Sequence, residues 1–251
     1  MLFRSDPGSL SDSLTFTLTV APSAVADTAS ATEAGGTSNG TAGVDPTGTV
    51  LGNDSGSSLT VSKAEKGGSL DGSATAVAAG STSISNATSV AGSYGTLSIG
   101  ADGTYKYTVD NGNGSVQALN AGGTLTDTFS YQAKDGSGQL VSTTLTVTIH
   151  GADDAPVASS LGGRSGTAGT ALTPIVVPAF GDVDNTAGEL SYTATLSDGS
   201  ALPAWLSFNS ATRTLSGTPT ASGSYAIKVT GTDPGGLSDS LTFTLTVTPS
   251  A

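Results

Sequence analysis

The chain has no cysteine and only eight lysines and arginines among its 251 residues, with one histidine, one tryptophan and one methionine. Each shortage removes a class of function. Without thiols there is neither a disulfide framework nor thiolate chemistry, so a small secreted domain needs another staple. A single histidine rules out a His-based zinc set. That residue, His150, stands beside a connector, and no motif places a nucleophile and an orienting carboxylate around it, so no catalytic residue is expected. So few bases in a chain of formal net charge −12 leave no basic face for nucleic acid, and they disfavour anionic membrane surfaces as well. No run of about 18 apolar residues is present to insert in a bilayer. The opening MLFRSDPGS lacks the apolar core of a signal peptide, so export is expected to use sequence upstream or a different signal.

What is abundant is serine, threonine, alanine and glycine, arranged with a period of two. In LTFTLTV the residues Leu14, Phe16, Leu18 and Val20 share one face and threonines take the other. The same alternation runs through YKYTV, TFSYQA and LTVTI (Tyr105 to Ile149), through LSYTATL and YAIKV (Leu190 to Val229), and through the closing LTFTLTV. Such segments predict half-buried antiparallel strands. Asp102-Gly103, Asp135-Gly136 and Asp198-Gly199 supply turn signals between them. No amphipathic helix is predicted, and VQALNAGG (Val116 to Gly123) allows one short turn.

Residues 6–24 and 233–251 are near copies: of nineteen aligned positions only Ser9/Gly236 and Ala21/Thr248 differ. Small-residue, acidic, proline-bearing connectors lie at Ala21 to Glu33 and at His150 to Ser159. The expected layout is an orphan strand within residues 1–20, a linker at 21–27, a β-sandwich domain at 28–150, a linker at 151–156 and a second β-sandwich at 157–251. The offset of the copies, 227 positions, spans one complete pair of domains, so the chain reads as a window on a tandem array whose neighbours are further repeats of itself. The orphan strand, residues 8–20, carries an apolar face and unpaired backbone, and is expected to pair with another sheet, in this chain or on a neighbouring molecule.

The stretch from Tyr94 to Pro156 resembles the VCBS repeat of giant bacterial surface proteins. The resemblance rests on GTL, DGTYKY, LNAGG, DTFSY, DGSG and a closing strand, with VLGNDS (Val50 to Ser55) as entry motif. FGDVDN (Phe180 to Asn185) and the run from Leu202 to Val247 resemble the dystroglycan-type cadherin-like domain. The chain departs from the pattern twice. Ala152-Asp153-Asp154 replaces the Asn-Asp of the usual junction, and Ser55 to Ser58 replace an acidic run. The resemblance implies an all-β fold of two tandem antiparallel, immunoglobulin/cadherin-like sandwiches. It also implies origin in a large, secreted, RTX-type adhesin of the bacterial cell surface, of the kind involved in biofilms.

Strand direction locates the acidic residues. If each sandwich is entered at the top and left at the bottom, Asp182 and Asp184 lie in a loop at the top of the second domain. Asp233 follows a rising strand, and the linker delivers Asp153 and Asp154 to the same end. Five carboxylates from three segments repel one another unless a hard cation joins them, and calcium takes six to eight oxygen ligands. Glu189 could join or face solvent. The first domain repeats the arrangement with Asp27, Asn53, Asp54 and Asp135. Trp205 sits in LPAWLSF and is expected in the core, while Lys106, Lys134 and Lys228 alternate outward, which excludes buried isopeptide staples. The resulting expectation is a non-enzymatic spacer that calcium stiffens at its junctions. The alternative is a carbohydrate- or protein-binding module that touches the adhesion target directly.

Overall fold

The computed structural model describes residues 20–250, so the segment expected to form the orphan strand lies, apart from Val20, outside the described residues. The chain builds two hydrophobic cores in succession. The first is enclosed by β1 (Asp27–Thr32), β2 (Thr47–Thr49), β3 (Thr60–Lys66), β4 (Thr75–Ala76), β5 (Thr88–Ala91), β6 (Gly95–Ile99) and β7 (Thr104–Val109). A one-turn helix, α1 (Gly114–Gln117), and the long strands β8 (Thr124–Lys134) and β9 (Leu140–His150) complete it. The second is enclosed by β10 (Arg164–Thr167), β11 (Ile175–Val176), β12 (Ser191–Leu196) and β13 (Leu206–Asn209). It is closed by β14 (Thr214–Gly217), β15 (Gly223–Thr232) and β16 (Ser238–Thr248).

Each unit is a sandwich of two sheets. In the first, β1-β9-β8-β3-β4 faces β2-β7-β6-β5; in the second, β10-β16-β15-β12 faces β11-β14-β13. Among the described strands all pairings are antiparallel except two, β1 with β9 and β10 with β16, which set the first strand of each sandwich parallel to its last. The period of two converts directly into burial. In β16 the residues Leu241, Phe243, Leu245 and Val247 are buried while the intervening threonines are exposed.

β1 falls inside the segment read as a connector (Ala21 to Glu33). Its inward apolar residues are only Ala29 and Ala31, too small to mark a strand by apolar contrast, and the six-residue ladder to β9 supplies what the side chains do not. The segment ALTPIVVPAF contributes just Ile175 and Val176 as a strand, because Pro174 and Pro178 flank it without backbone N–H groups. Trp205 packs at the margin of the second core rather than at its centre, edge-on to Tyr225 at 5.2 Å between ring centroids. Large aromatics are often buried mainly on one side in this way.

Buried polar groups tie the loops down. Asp127 accepts hydrogen bonds from Ser93 N, Tyr94 N and Tyr107 Oη, the last at 2.7 Å, and so locks the β5–β6 hairpin onto β8. Both domain entrances use one device. A pair of hydrogen bonds joins Ser23 to Ser55 at the first, and another joins Val157 to Gly181 at the second. This aligns Ala21-Pro22-Ser23 with Ala155-Pro156-Val157.

Candidate interdomain cation site

The linker Gly151 to Pro156 runs between the floor of the first sandwich and the roof of the second. Gly36 N donates to Asp153 O at 2.7 Å and Ala155 N donates to Gly36 O, so the loop after β1 is stitched to the linker. That closeness needs glycine: a Cβ on Gly35 would stand 2.7 Å from Ala152 Cβ and 2.8 Å from Asp153 O.

The linker carboxylates meet two loops of the second domain. Asp154 N donates to Asp184 Oδ2 at 3.2 Å, and Asn185 Nδ2 donates to Asp184 Oδ1 at 2.8 Å. Asp182 Oδ1 accepts from the backbone of Asp184 and Asn185, and Asp233 Oδ1 accepts from Gly236 N and Leu237 N across the β15–β16 turn. The Asp153 carboxylate lies against Gly235 in that same turn, where an added Cβ would collide with it. Asp182 and Asp233 therefore use part of their acceptor capacity to build turns, and Asp184 uses its own to hold the linker and Asn185.

The remaining capacity is the notable feature. Among the described residues, the buried side-chain atoms without a hydrogen-bond partner are Asp154 Oδ2, Asp182 Oδ2 and Asp233 Oδ2. Asp154 and Asp233 are only 4% and 5% exposed. A buried carboxylate oxygen without a donor is costly, and three in one junction call for a positive partner. The charges register the crowding. Burial first, then the charges of Asp182 and Asp153, raises the pKa of Asp154. Burial first, then Asp233 and Asp182, raises that of Asp153. Asp184 is pushed up to about 7, mainly by burial and then by Asp182. Among the described residues no three His, Cys, Asp or Glu side chains stand gathered as a ready-made metal cage. Orphaned acceptors of purely oxygen character nevertheless suit a hard cation such as calcium.

One member of this neighbourhood escaped sequence reading. Glu33, 1% exposed, sits on the first domain's floor with Ala152 N donating to Oε1 and Gln117 Nε2 donating to Oε2, each at 3.1 Å. Burial, with a smaller contribution from Asp154, pushes it up to about 7. The available signal was a lone glutamate closing a run of small residues just before Gly35-Gly36. Glu189, in contrast, faces solvent and accepts from Thr186 N and Oγ1.

The first domain's entrance is satisfied differently. Asp54 Oδ1 accepts from Val25 N at 2.8 Å, while Asp54 Oδ2 and Asp27 Oδ2 both lie within hydrogen-bonding distance of Tyr131 Oη, at 3.1 and 2.9 Å. Burial is the largest cause raising the pKa of Asp27, and the Asp54 charge adds to it. Asp135 is turned into its own hairpin, accepting from Ser137 N, Ser137 Oγ and Gln139 N. The structure thus brings Asp27 to Asp54, and it gives Asp135 its partners within the turn.

The bacterial cadherin-like domain family model matches residues 19–151, which contain most of the stretch resembling the VCBS repeat, and the "Putative Ig domain" model matches residues 155–248. Among solved structures, Drosophila N-cadherin EC1-4 aligns at 13% identity and a TM-score of 0.48, covering 91% of this chain and 50% of that one. Human CDH23 EC21-23 aligns at 13% identity and a TM-score of 0.45, covering 91% and 70% respectively. The chain spans about half the length of the Drosophila fragment. No curated protein sequence matches it.

Proposed function

The chain belongs to the bacterial cadherin-like domain family, and on that premise we propose that it is a spacer segment of a secreted, cell-surface adhesin whose interdomain junction binds calcium. Cadherin-like and immunoglobulin-like domains are extracellular modules of adhesion and spacing. Among the described residues, no helix is long and apolar enough to cross a membrane. The observation that carries the calcium reading is the trio of buried, partnerless oxygens on Asp154, Asp182 and Asp233. They arise from three separate segments: the linker, the loop after β11 and the β15–β16 turn. Asp153, Asp184 and Glu33 complete the acidic surroundings.

A divalent cation there would neutralise carboxylates that otherwise repel and would join linker to second domain. The protein's own part is to hold the acids on rigid turns and to keep the spare oxygens out of water. Extracellular modules use weak calcium sites, with Kd of about 10⁻⁴–10⁻³ M, so such a joint would stay loose before export and stiffen outside. The first entrance supports a lesser role, because fewer acids meet there, Val25 N already serves Asp54, and the one Tyr131 hydroxyl proton is shared among Val50 O, Asp27 and Asp54.

Replacing Asp182 and Asp184 together by asparagine keeps size and turn preference while removing both charges. If calcium binds, saturating ion adds about 2.7 kcal/mol of stability at 100-fold above Kd. The double variant is expected to lose most of that gain in thermal melts while melting in chelator at least as high as the parent. Asp54→Asn is expected to matter less. An equal melting temperature of the parent in chelator and in calcium at 100-fold above that Kd, about 10–100 mM, with unchanged small-angle scattering, refutes the reading.

A further inference from the structure

The two oxygens of Asp154 have different company. Oδ2 is one of the three orphaned atoms, whereas Oδ1 meets the first domain. There the 3-10 turn Thr37–Asn39 presents Asn39, whose amide orientation follows from its neighbours. Gln117 Nε2 donates to Glu33 Oε2, so Gln117 Oε1 is left facing Asn39. Asn39 offers its nitrogen to Gln117 Oε1 in either amide orientation, at 2.9 Å in one and 3.1 Å in the other, so the orientation is decided on the opposite side, where Ala34 O and Asp154 Oδ1 are both acceptors and call for the nitrogen. In that orientation Nδ2 lies 3.1 Å from Gln117 Oε1, 3.2 Å from Ala34 O and 3.2 Å from Asp154 Oδ1. The amide assignment thus rests on hydrogen-bond polarity.

A continuous chain results. The backbone of Ala152 holds Glu33, Glu33 holds Gln117, Gln117 holds Asn39, and Asn39 reaches Asp154. Two acids, one from each side of the junction, are linked through two neutral amides that contribute donors without adding charge. Both amides are carried by short one-turn elements of the first domain, α1 and the 3-10 turn. A charged residue at either position would add repulsion or compete for the acids. An apolar one would leave Asp154 Oδ1 as orphaned as Oδ2.

We propose that Asn39 and Gln117 are positioning residues that pin Asp154 from the first domain, leaving its Oδ2 for the cation, and thereby set the calcium affinity of the junction. The proposal rests on the calcium reading above and extends it: the affinity of a site built on the second domain is governed by amides of the first. Partners that orient a metal ligand without touching the metal commonly govern about 10- to 100-fold in affinity.

The test is calcium titration by calorimetry of the full chain and of Asn39→Ala and Gln117→Ala, with thermal melts in chelator. Each variant is expected to weaken calcium binding about tenfold or more while its chelator melt falls only modestly, by the cost of the one donor removed. Unchanged affinity overturns the proposal, and so does a fall in the chelator melt large enough to account for the loss. Side-chain amide protons read the pinning without calcium. The Asn39 NH₂ is expected to exchange slowly in chelator and to lose that protection in Asp154→Ala and in Gln117→Ala; fast exchange in the parent overturns the relay. A parent that takes up no calcium refutes the calcium reading and the affinity role together, and the amide protons then decide the pinning alone.

Discussion

Glu33 and Asp184 face the junction from opposite domains and share one electrostatic predicament. Both are pushed up to about 7, chiefly by burial, with neighbouring carboxylates adding to the effect. In the unfolded chain such groups ionise near about 4, so between about pH 4 and 7 the folded state binds more protons than the unfolded one. Folding stability from these two groups is therefore fully present below that window and is lost as pH rises through it. The carboxyls whose pKa is lowered, Asp135, Glu189 and Asp198 among them, act in the opposite sense, but only at the acid end, where they begin to protonate. In chelator the melting temperature is expected to fall between pH 5 and pH 8. If calcium binds as proposed, it replaces the protons and is expected to flatten or reverse that trend. A flat chelator profile would show that these acids carry no such strain.

At the scale of elements, the β8–β9 and β15–β16 hairpins are one design used twice. Aligned on Asp135 and Asp233, their backbone hydrogen bonds correspond, with Gly138 and Gly236 both at positive φ of 90° and 97°. Two of the differences remove a hydroxyl that touches an acid. Tyr131 in the first hairpin corresponds to Val229 in the second, and Ser137 corresponds to Gly235. Those hydroxyls contact Asp27, Asp54 and Asp135; their absence coincides with the orphaned oxygen of Asp233. Gly235→Ser restores the hydroxyl but sets a Cβ against the Asp153 carboxylate. It is expected to remove most of the calcium-induced rise in melting temperature while changing the first domain's unfolding little. Full retention of the rise would mean that Asp153 and Asp233 need not meet.

The same hairpins show how far the sequence could be read. Alternation with bulky residues marks β7, β8, β9, β12, β15 and β16, because each buries a row of side chains large enough to stand out from threonine. β1 is invisible that way, since Ala29 and Ala31 contribute one methyl each and its place is decided by the ladder to β9. Counting strand directions is enough to bring Asp153, Asp154, Asp182, Asp184 and Asp233 to one end of a domain. It cannot say which oxygens remain unused, because an aspartate that builds its own turn and one that also reaches outward look alike as letters. Asp135 and Asp233 are that pair. Glu33 is missed for a related reason: its importance comes from a linker that folds back onto it.

For the whole molecule, the parallel pairing of first and last strands has a mechanical meaning. A spacer is loaded from its ends, so tension draws the start of β1 one way and the end of β9 the other. Strands running side by side in the same direction must then slide past each other, and every hydrogen bond of the ladder resists at once instead of opening one by one. The first sandwich meets that shear with the six register pairs of β1 and β9, and the second with the four of β10 and β16. Stretched singly in chelator, the second domain is expected to rupture at the lower force, the two being told apart by the length of chain each releases. Rupture of the first domain ahead of the second would show that something other than this ladder bears the load. If the order holds, the pair of domains has a built-in fuse: under an excessive pull the second sandwich pays out its chain first, and the larger one beside it stays folded.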